Sequence, residues 1–175
     1  RIIPRSRWTT TKSNAPAARA AQINGVALHH PGTPGTIGIE TEAATAARLE
    51  GYRRQHVNAN GWKDIAYNVA VDQRGNVWTL RGVSRQSGAN GTTAANRSHG
   101  AILLLIGNNE APSQAMIDAV LYAVRLWDAR YGVTAVRPHS YFVSTACPGT
   151  TARRLLNDGR TFYVKTARER WPDVK

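Results

Sequence analysis

The apolar residues of this chain form short runs separated by segments with helical periodicity. Gly25 to Leu28 is a short apolar run that leads into a His-His pair and then a Pro- and Gly-rich stretch, which predicts a buried strand ending in a loop. Ala101 to Ile106 is apolar throughout and predicts a central strand covered on both faces. Ile65 to Val71 and Val77 to Leu80 flank a turn containing Gly75, which indicates a hairpin.

Three segments between and after these runs predict helices. Thr41 to Val57 has an apolar side made mostly of Ala, with Thr41 as its N-cap. A second helix begins after Ser113 and keeps 3.6-residue apolar spacing until Gly132. Its stripe, which we interpret as core, consists of Met116, Ile117, Val120, Leu121, Val124 and Trp127. A third, short helix follows Gly149 and stops at Gly159. Strands interleaved with helices predict an α/β domain with a mixed central sheet flanked by about three α-helices.

The remaining segments lack such periodicity. Residues 1–22 are polar and Ala-rich, so we expect a surface arm pinned by Ile2, Ile3 and Trp8. Residues 82–99 contain Gly, Asn, Ser and Thr with almost no large apolar side chain, which indicates a long loop of the kind that binds a ligand. Residues 159–175 form a C-terminal extension without an assigned role. No internal repeat is visible, so we interpret residues 1–175 as one domain.

Composition supports a folded domain. The 175 residues are 42% hydrophobic and include five Trp, which excludes a disordered, collagen-like or fibrous chain. The longest apolar run is too short to span a bilayer. The sequence opens at Arg1 without a leader, which we interpret as a processed chain or a domain of a longer protein. The single Cys147 excludes an internal disulfide, and metal ligation is one explanation for it.

The charge is strongly positive. Lys and Arg total 23 against 11 Asp and Glu, a net charge of +12, and 19 of the basic residues are Arg. Such a charge favours a polyanionic partner, whether nucleic acid, anionic polysaccharide or a bacterial envelope. A GC-rich genome explains the Arg bias equally well. A nucleic-acid-binding function is the least supported hypothesis, because basic and aromatic residues are not interleaved and no recognition motif is present.

Candidate chemistry lies in two histidine-containing segments. His29 and His30 end the first strand, and His139 precedes Cys147 by eight residues. Imidazoles with one thiolate suit zinc, and three protein ligands leave a fourth position for water. Adjacent strand residues point to opposite faces, so only one of the His-His pair can reach a common ion. If the segment before Cys147 is extended, Thr145 shares its face. Spacing alone leaves open that the histidines are structural and that the cysteine is a small core residue.

The motifs in register carry more information than any one residue. They are Arg5-Ser-Arg-Trp8, Val26-Ala-Leu-His-His30, His56 with Gly61-Trp-Lys-Asp-Ile-Ala-Tyr-Asn68, Asp72-Gln-Arg-Gly75 with Arg81-Gly82, Ile106-Gly-Asn108, and His139 with Thr145-Ala-Cys-Pro-Gly149. In this order they resemble the type 2 N-acetylmuramoyl-L-alanine amidases and peptidoglycan recognition proteins over about residues 1–158. The resemblance implies a mixed sheet flanked by helices, a zinc ion and a peptidoglycan substrate.

The resemblance also implies roles for single residues. The zinc ligands it implies are His29, His139 and Cys147. Tyr67 matches the tyrosine beside the water on the metal. Some members have Lys where this chain has Thr145, so a polar partner is kept and a cationic one is lost. Some relatives have Glu where this chain has Leu104, which leaves no carboxylate base on that strand.

Five further residues are candidates for binding substrate. His30 neighbours the implied ligand, and His56 and Trp62 flank a helix-to-strand turn; a helix-capping His and a packing Trp are the structural alternatives. The Arg81 guanidinium suits a stem-peptide carboxylate, with a solvated hairpin Arg as the alternative. His99 lies in the polar loop and either approaches the groove or faces solvent.

The resulting expectation is a bacteriolytic zinc hydrolase that cleaves the amide between N-acetylmuramic acid and L-alanine. A non-catalytic peptidoglycan-binding module is the alternative. One Cys cannot form the core disulfide of animal recognition proteins, which favours the catalytic domain of a phage endolysin or bacterial autolysin. We expect a monomer that binds Zn²⁺ and peptidoglycan, neither nucleic acid nor a membrane, and that acts at the cell wall after release from a host cytoplasm or secretion.

Overall fold

The computed structural model describes all 175 residues and contains one six-stranded sheet. The strands are β1 (Ile2–Ile3), β2 (Gly25–His29), β3 (Val69–Val71), β4 (Val77–Thr79), β5 (His99–Leu104) and β6 (Ala135–Pro138). Their order across the sheet is β1-β4-β3-β5-β2-β6. Only β3 and β4 pair antiparallel, as the predicted hairpin; every other neighbouring pair is parallel. The expected mixed sheet is confirmed.

Five α-helices accompany the sheet, two more than the sequence predicts. They are α1 (Glu42–Arg54), α2 (Thr93–Ser98), α3 (Gln114–Tyr131), α4 (Thr150–Asn157) and α5 (Val164–Arg170). Helix α3 has the predicted ends, because the Ser113 hydroxyl accepts the amide of Met116 and Gly132 takes the left-handed conformation at a φ of 69°. Helix α1 continues into a short π-helical turn at Gln55–Ala59.

Two apolar layers cover the sheet, one on each face. Central strand β5 shows the arrangement, because Ile102 and Leu104 pack toward α3 whereas Leu103 packs toward Leu49 of α1. Successive strand residues point to opposite faces, so a run that is apolar throughout requires cover on both. The central strand is therefore buried along its whole length, as its composition predicts.

Residues 82–99, expected as one loop, end in helix α2 and the first residue of β5. Thr92 caps α2 by accepting the amide of Ala95. Only Ala95 of this helix is buried, so the segment carries no apolar stripe from which a helix could be predicted.

Both ends of the chain pack against the rest of the domain. Residues Ile2 and Ile3, expected within a surface arm, pair with β4 as an edge strand. The C-terminal extension forms α5, which packs on α3 through buried Val164 and Ala167. Its Arg168 forms a bidentate ion pair with Asp128 of α3. Residues 159–175 thus complete the core on the α3 face of the sheet.

Candidate metal centre and substrate cleft

An open cleft of about 560 Å³ lies at the carboxyl end of β2. Eight of the ten candidate site residues named from the sequence line it. They are His29, His30, His56, Trp62, Tyr67, His139, Thr145 and Cys147. The cleft therefore joins side chains that are more than a hundred residues apart in the chain.

Strand register brings the first two histidines together. Strands β2 and β6 are parallel neighbours in which Leu28 pairs with Pro138. The next residues along the two strands, His29 and His139, therefore leave the same edge of the sheet side by side. Their ring centroids lie 4.6 Å apart.

Cys147 completes a cluster with these histidines. It lies in the turn before α4, and its Sγ is 3.6 Å from Nδ1 of His29. One ligand atom from each of His29, His139 and Cys147 lies within 4.8 Å of the other two. Zinc bonds of about 2.0–2.3 Å in a tetrahedral site separate neighbouring ligand atoms by roughly 3.5 Å. The separation from His29 to Cys147 has about this value, whereas the full spread of the cluster is wider, so an ion would draw the three ligand atoms together.

The protonation states suit metal ligation. Burial, with a smaller contribution from His139, lowers the pKa of His29 to about 3. Burial also lowers the pKa of His139. Both imidazoles are therefore neutral at pH 7 and keep a lone pair, while Nε2 of His139 is buried without a hydrogen-bond partner. Burial raises the pKa of the Cys147 thiol to about 11, and the amide of His30 and the charge of Arg153 offset this rise only in part. Two neutral imidazoles and a desolvated thiol fit a zinc ion.

His30 serves the cluster through its backbone. Its amide donates to Cys147 Sγ at 3.4 Å, and its carbonyl oxygen is 3.8 Å from the same sulfur. Its Nδ1 is buried without a partner, and its imidazole lies against Gly149. Both histidines line the cleft, but only the ring of His29 belongs to the cluster.

Tyr67 lies beside the cluster, with its ring 5.4 Å from that of His29 in an edge-on arrangement. Burial, and then the nearby Cys147, raise the pKa of the Tyr67 phenol well above its ordinary value. The hydroxyl therefore remains protonated and able to donate a hydrogen bond.

Thr145 lines the cleft two residues before Cys147. Its Oγ1 accepts the amide of Cys147 at 3.2 Å, which leaves the hydroxyl hydrogen free to donate elsewhere. The hydrogen bond holds the hydroxyl next to the last residue of the cluster.

His56 and Trp62 form one wall of the cleft, with ring centroids 4.9 Å apart. The His56 Nδ1 accepts the amide of Ala66 at 3.0 Å, so in the neutral ring the proton is on Nε2. Burial, followed by the charge of Arg81, lowers the pKa of His56 and keeps it neutral. Trp62 is 43% exposed, which leaves much of its ring open to a ligand.

The structure does not bring Arg81 or His99 to the cleft lining. Arg81 is buried, and its guanidinium donates to the carbonyl oxygens of Ile65 and Gln86. His99 begins β5 and packs against Phe142, in space that exists because Gly25 has no Cβ. Both side chains are buried away from the cleft lining, so neither substrate contact nor solvation describes them.

Sequence reasoning missed the one Arg in the cleft lining, Arg153. Its guanidinium donates to the carbonyl oxygens of Thr145 and Ala146, and burial, together with the charge of Arg153, lowers the pKa of His30. Nothing in the sequence distinguishes it among 19 dispersed Arg. Arg153 of α4 thus places a cation in the cleft lining close to Thr145.

Fold and site together define a class: a mixed α/β domain whose parallel strands end at an open cleft with a His-His-Cys cluster. The family model described as N-acetylmuramoyl-L-alanine amidase (Amidase_2) matches residues 19–150, so the chain belongs to this family. The resemblance seen in the motifs is confirmed, and it associates the chain with peptidoglycan.

Individual relatives agree with this assignment. The chain is 30% identical over 170 residues to an N-acetylmuramoyl-L-alanine amidase of Sus scrofa, which covers 93% of this chain and 28% of that longer protein. It is 28% identical over 164 residues to peptidoglycan-recognition protein SC2 of Drosophila melanogaster, which covers 92% of this chain and 85% of the relative. Among solved structures, bumblebee PGRP-SA matches with a TM-score of 0.79 and 25% identity, over 90% of this chain and 94% of the other.

Proposed function

We propose that the protein is a zinc-dependent N-acetylmuramoyl-L-alanine amidase that hydrolyses the amide between the lactyl group of N-acetylmuramic acid and the L-alanine of the stem peptide. The observation that carries the proposal is the cluster of His29, His139 and Cys147 with Tyr67 beside it at the floor of an open cleft. The relatives named as amidases support the reaction.

The three clustered residues would hold the ion. When bound, zinc would polarise a carbonyl oxygen and lower the pKa of a coordinated water toward about 7. The protein's own contribution is a set of side chains that orient the substrate amide and respond to the charge that develops on it.

Two hydroxyls can stabilise that charge. Addition of water to the amide carbonyl carbon produces a tetrahedral oxyanion and releases a proton. Collapse of this species breaks the C–N bond while the amide nitrogen takes up a proton, which gives a lactyl carboxylate and a free L-alanine amine. Tyr67 remains protonated, and Thr145 keeps its hydrogen free, so both can donate to the oxyanion. One well-placed donor is worth about 3 kcal/mol of barrier.

Proton transfer in this cleft does not use a carboxylate. Asp and Glu are absent from the residues that line it, and Leu104, at the position of the Glu in some relatives, is buried in the core. The titratable groups in the lining are imidazoles, Tyr67, Arg153 and the thiol of the cluster. The neutral His56 presents its Nε2–H as a donor, which suits a carbonyl of the stem peptide better than base catalysis.

The cleft also suits the shape of the substrate. Its open form accommodates a branched glycopeptide, and the exposed face of Trp62 offers a platform for an apolar or sugar surface. Arg153 supplies a fixed positive charge that matches the carboxylates of a stem peptide. We place the action of the protein at the bacterial cell wall, as a phage endolysin or a bacterial autolysin; none of its helices has the length and apolarity to cross a bilayer.

A non-catalytic peptidoglycan-binding module is the second candidate, because several relatives are named as recognition proteins. One experiment separates the two. Purified protein is assayed for bound zinc by mass spectrometry, for release of L-alanine amines from purified peptidoglycan, and for cosedimentation with that peptidoglycan. We expect one zinc per chain and amine release that a chelator abolishes and added zinc restores. Cosedimentation without amine release, with zinc bound, would leave only the binding module.

A further inference from the structure

The side chain of Asn90 lies between the candidate metal cluster and the body of the domain. Asn90 is fully buried, two residues before the cap of α2, and is not part of the cleft lining. Its Oδ1 is 2.8 Å from Nε2 of His29, on the far side of the ring from Cys147.

The orientation of the Asn90 amide is fixed by its other partners. Its Nδ2 donates to the carbonyl oxygen of Ala95 at 3.1 Å and to that of His99 at 2.9 Å. Carbonyl oxygens only accept, so the nitrogen must face them and the oxygen must face His29. An amide oxygen also only accepts, so the proton of the neutral His29 ring must be on Nε2. The lone pair is then on Nδ1, the nitrogen 3.6 Å from Cys147 Sγ.

The backbone around Asn90 is held as firmly as its side chain. The amide of Asn90 donates to Oδ1 of Asn96, within α2, at 2.8 Å. Helix α2 itself is held by its Thr92 cap and by buried Ala95. The backbone of Asn90 is therefore fixed relative to helix α2.

We propose that Asn90 is a positioning residue that locks His29 in the Nε2–H tautomer and thereby presents Nδ1 to zinc. The proposal rests on the metal site of the proposed function. Without Asn90, the neutral ring divides between two tautomers and two orientations, and a fraction of the molecules offers the metal a protonated nitrogen. Loss of such an outer hydrogen bond typically weakens metal affinity by about 10- to 100-fold.

The test separates this role from a purely structural one by two substitutions. Asn90→Leu removes both the acceptor and the two donors, whereas Asn90→Asp keeps an acceptor for His29 and loses only the donors. Asn68 is the matched control: it is fully buried, donates to the carbonyl oxygens of Gly82 and Arg85, and accepts from a backbone amide. Asn68→Leu and Asn68→Asp remove the same kinds of hydrogen bond outside the cluster.

Zinc affinity is measured by competition with a chromophoric chelator, on protein shown to be folded by circular dichroism. We expect Asn90→Leu to bind zinc at least tenfold more weakly. Asn90→Asp and both Asn68 variants should stay within about threefold of the parent, even where their unfolding midpoints fall. Equal weakening in the two Asn90 variants, or parent-like affinity in Asn90→Leu, would overturn the proposal.

A second measurement does not depend on the metal. Nitrogen-15 NMR of the zinc-free protein reports which ring nitrogen of His29 is protonated. The parent should show protonated Nε2, and Asn90→Leu should show a mixture of the two forms. An Nδ1–H tautomer in the parent contradicts the proposal. If the parent shows Nε2–H but neither the parent nor any variant binds zinc, the proposed function fails. The effect of Asn90 on the His29 ring then still stands.

Discussion

The backbone amide of His30 donates a hydrogen bond to Sγ of Cys147 across 3.4 Å, whereas the His30 ring lies against Gly149. The first histidine of the adjacent pair thus contributes its side chain to the cluster, and the second contributes its backbone. An amide donor stabilises a thiolate, so this contact favours the charged form that a metal requires.

Because the contact is made by the backbone, substitution of the His30 side chain should spare the metal. We expect His30→Ala to retain one zinc per chain and His29→Ala to lose it, as measured by mass spectrometry after dialysis. His139→Ala and Cys147→Ala should behave like His29→Ala. Zinc retained by His29→Ala and lost by His30→Ala would shift the ligand assignment by one residue.

Tyr67 provides a test of the chemistry that leaves the metal in place. Tyr67→Phe removes only a hydroxyl, so zinc content and the unfolding midpoint should stay close to those of the parent. The rate of amine release should fall at least tenfold, which corresponds to about 1.4 kcal/mol of barrier. Tyr52, a partly buried tyrosine at the edge of the core on the α1 face, is the control, and Tyr52→Phe should keep the rate. An unchanged rate in Tyr67→Phe would show that Tyr67 contributes only to packing.

Arg153 should affect the reaction through its place in the cleft lining. Its neighbour Arg154 is exposed and outside the cleft, so Arg153→Gln and Arg154→Gln form a matched pair. We expect Arg153→Gln to lower kcat/KM on a soluble muropeptide by about tenfold, because an Arg in the cleft can pair with a carboxylate of the substrate or with the developing oxyanion. Arg154→Gln should leave it unchanged. Equal kcat/KM values for the two variants would show that Arg153 does not act on the substrate.

The elements that the sequence predicts are those whose own residues carry the signal. Strand β5 is apolar from Ala101 to its last residue, and α3 has both a periodic stripe and two caps. Strand β6 is half-buried and four residues long, and α5 buries only Val164 and Ala167, so neither has a pattern to recognise. These elements are stabilised by packing against other parts of the domain, and their own sequences do not reveal those contacts.

The same distinction applies to the site. The clustered histidines and the cysteine belong to motifs of recognisable chemistry. Asn90 and Arg153 act through where the fold places them, and the same residue types occur elsewhere in the chain in ordinary structural roles. Arg81 shows the converse: its residue type suited a carboxylate, but its guanidinium is used by backbone carbonyls.

The ion-pair network under α5 predicts a stability effect. Arg168, followed by Arg125, lowers the pKa of Asp128 from its ordinary value. A depressed pKa in the folded state contributes stability above the unfolded pKa, and that contribution is lost as pH falls through the folded value. Stability measured by urea unfolding should therefore decline below about pH 4, and by less in Asp128→Asn.

The buried carboxylate of this network should contribute more to stability than its exposed partner Arg168. Asp128→Ala leaves the buried Arg125 without a carboxylate and should cost about 3 kcal/mol or more. Arg168 is 56% exposed, so solvent screens its pair, and Arg168→Ala should cost about 1 kcal/mol or less. Equal losses in the two variants would show that the packing of α5, and not the buried charge, dominates.

The last prediction concerns the net charge of +12. Exposed charges attract an anionic wall over a range that salt limits to about 8 Å at physiological ionic strength. Cleavage of whole walls should therefore slow as salt rises from low to high concentration. A small soluble muropeptide is held by the cleft itself, where Arg153 is the only Arg or Lys of the lining, so its cleavage should respond much less. Measuring both substrates across the same salt series separates long-range attraction from binding in the cleft. Parallel losses would place the effect of salt in the cleft or on stability, and Arg153→Gln would then reduce the response if the cleft is responsible. Absence of any response would make the Arg-rich composition a property of the genome with no role in wall binding.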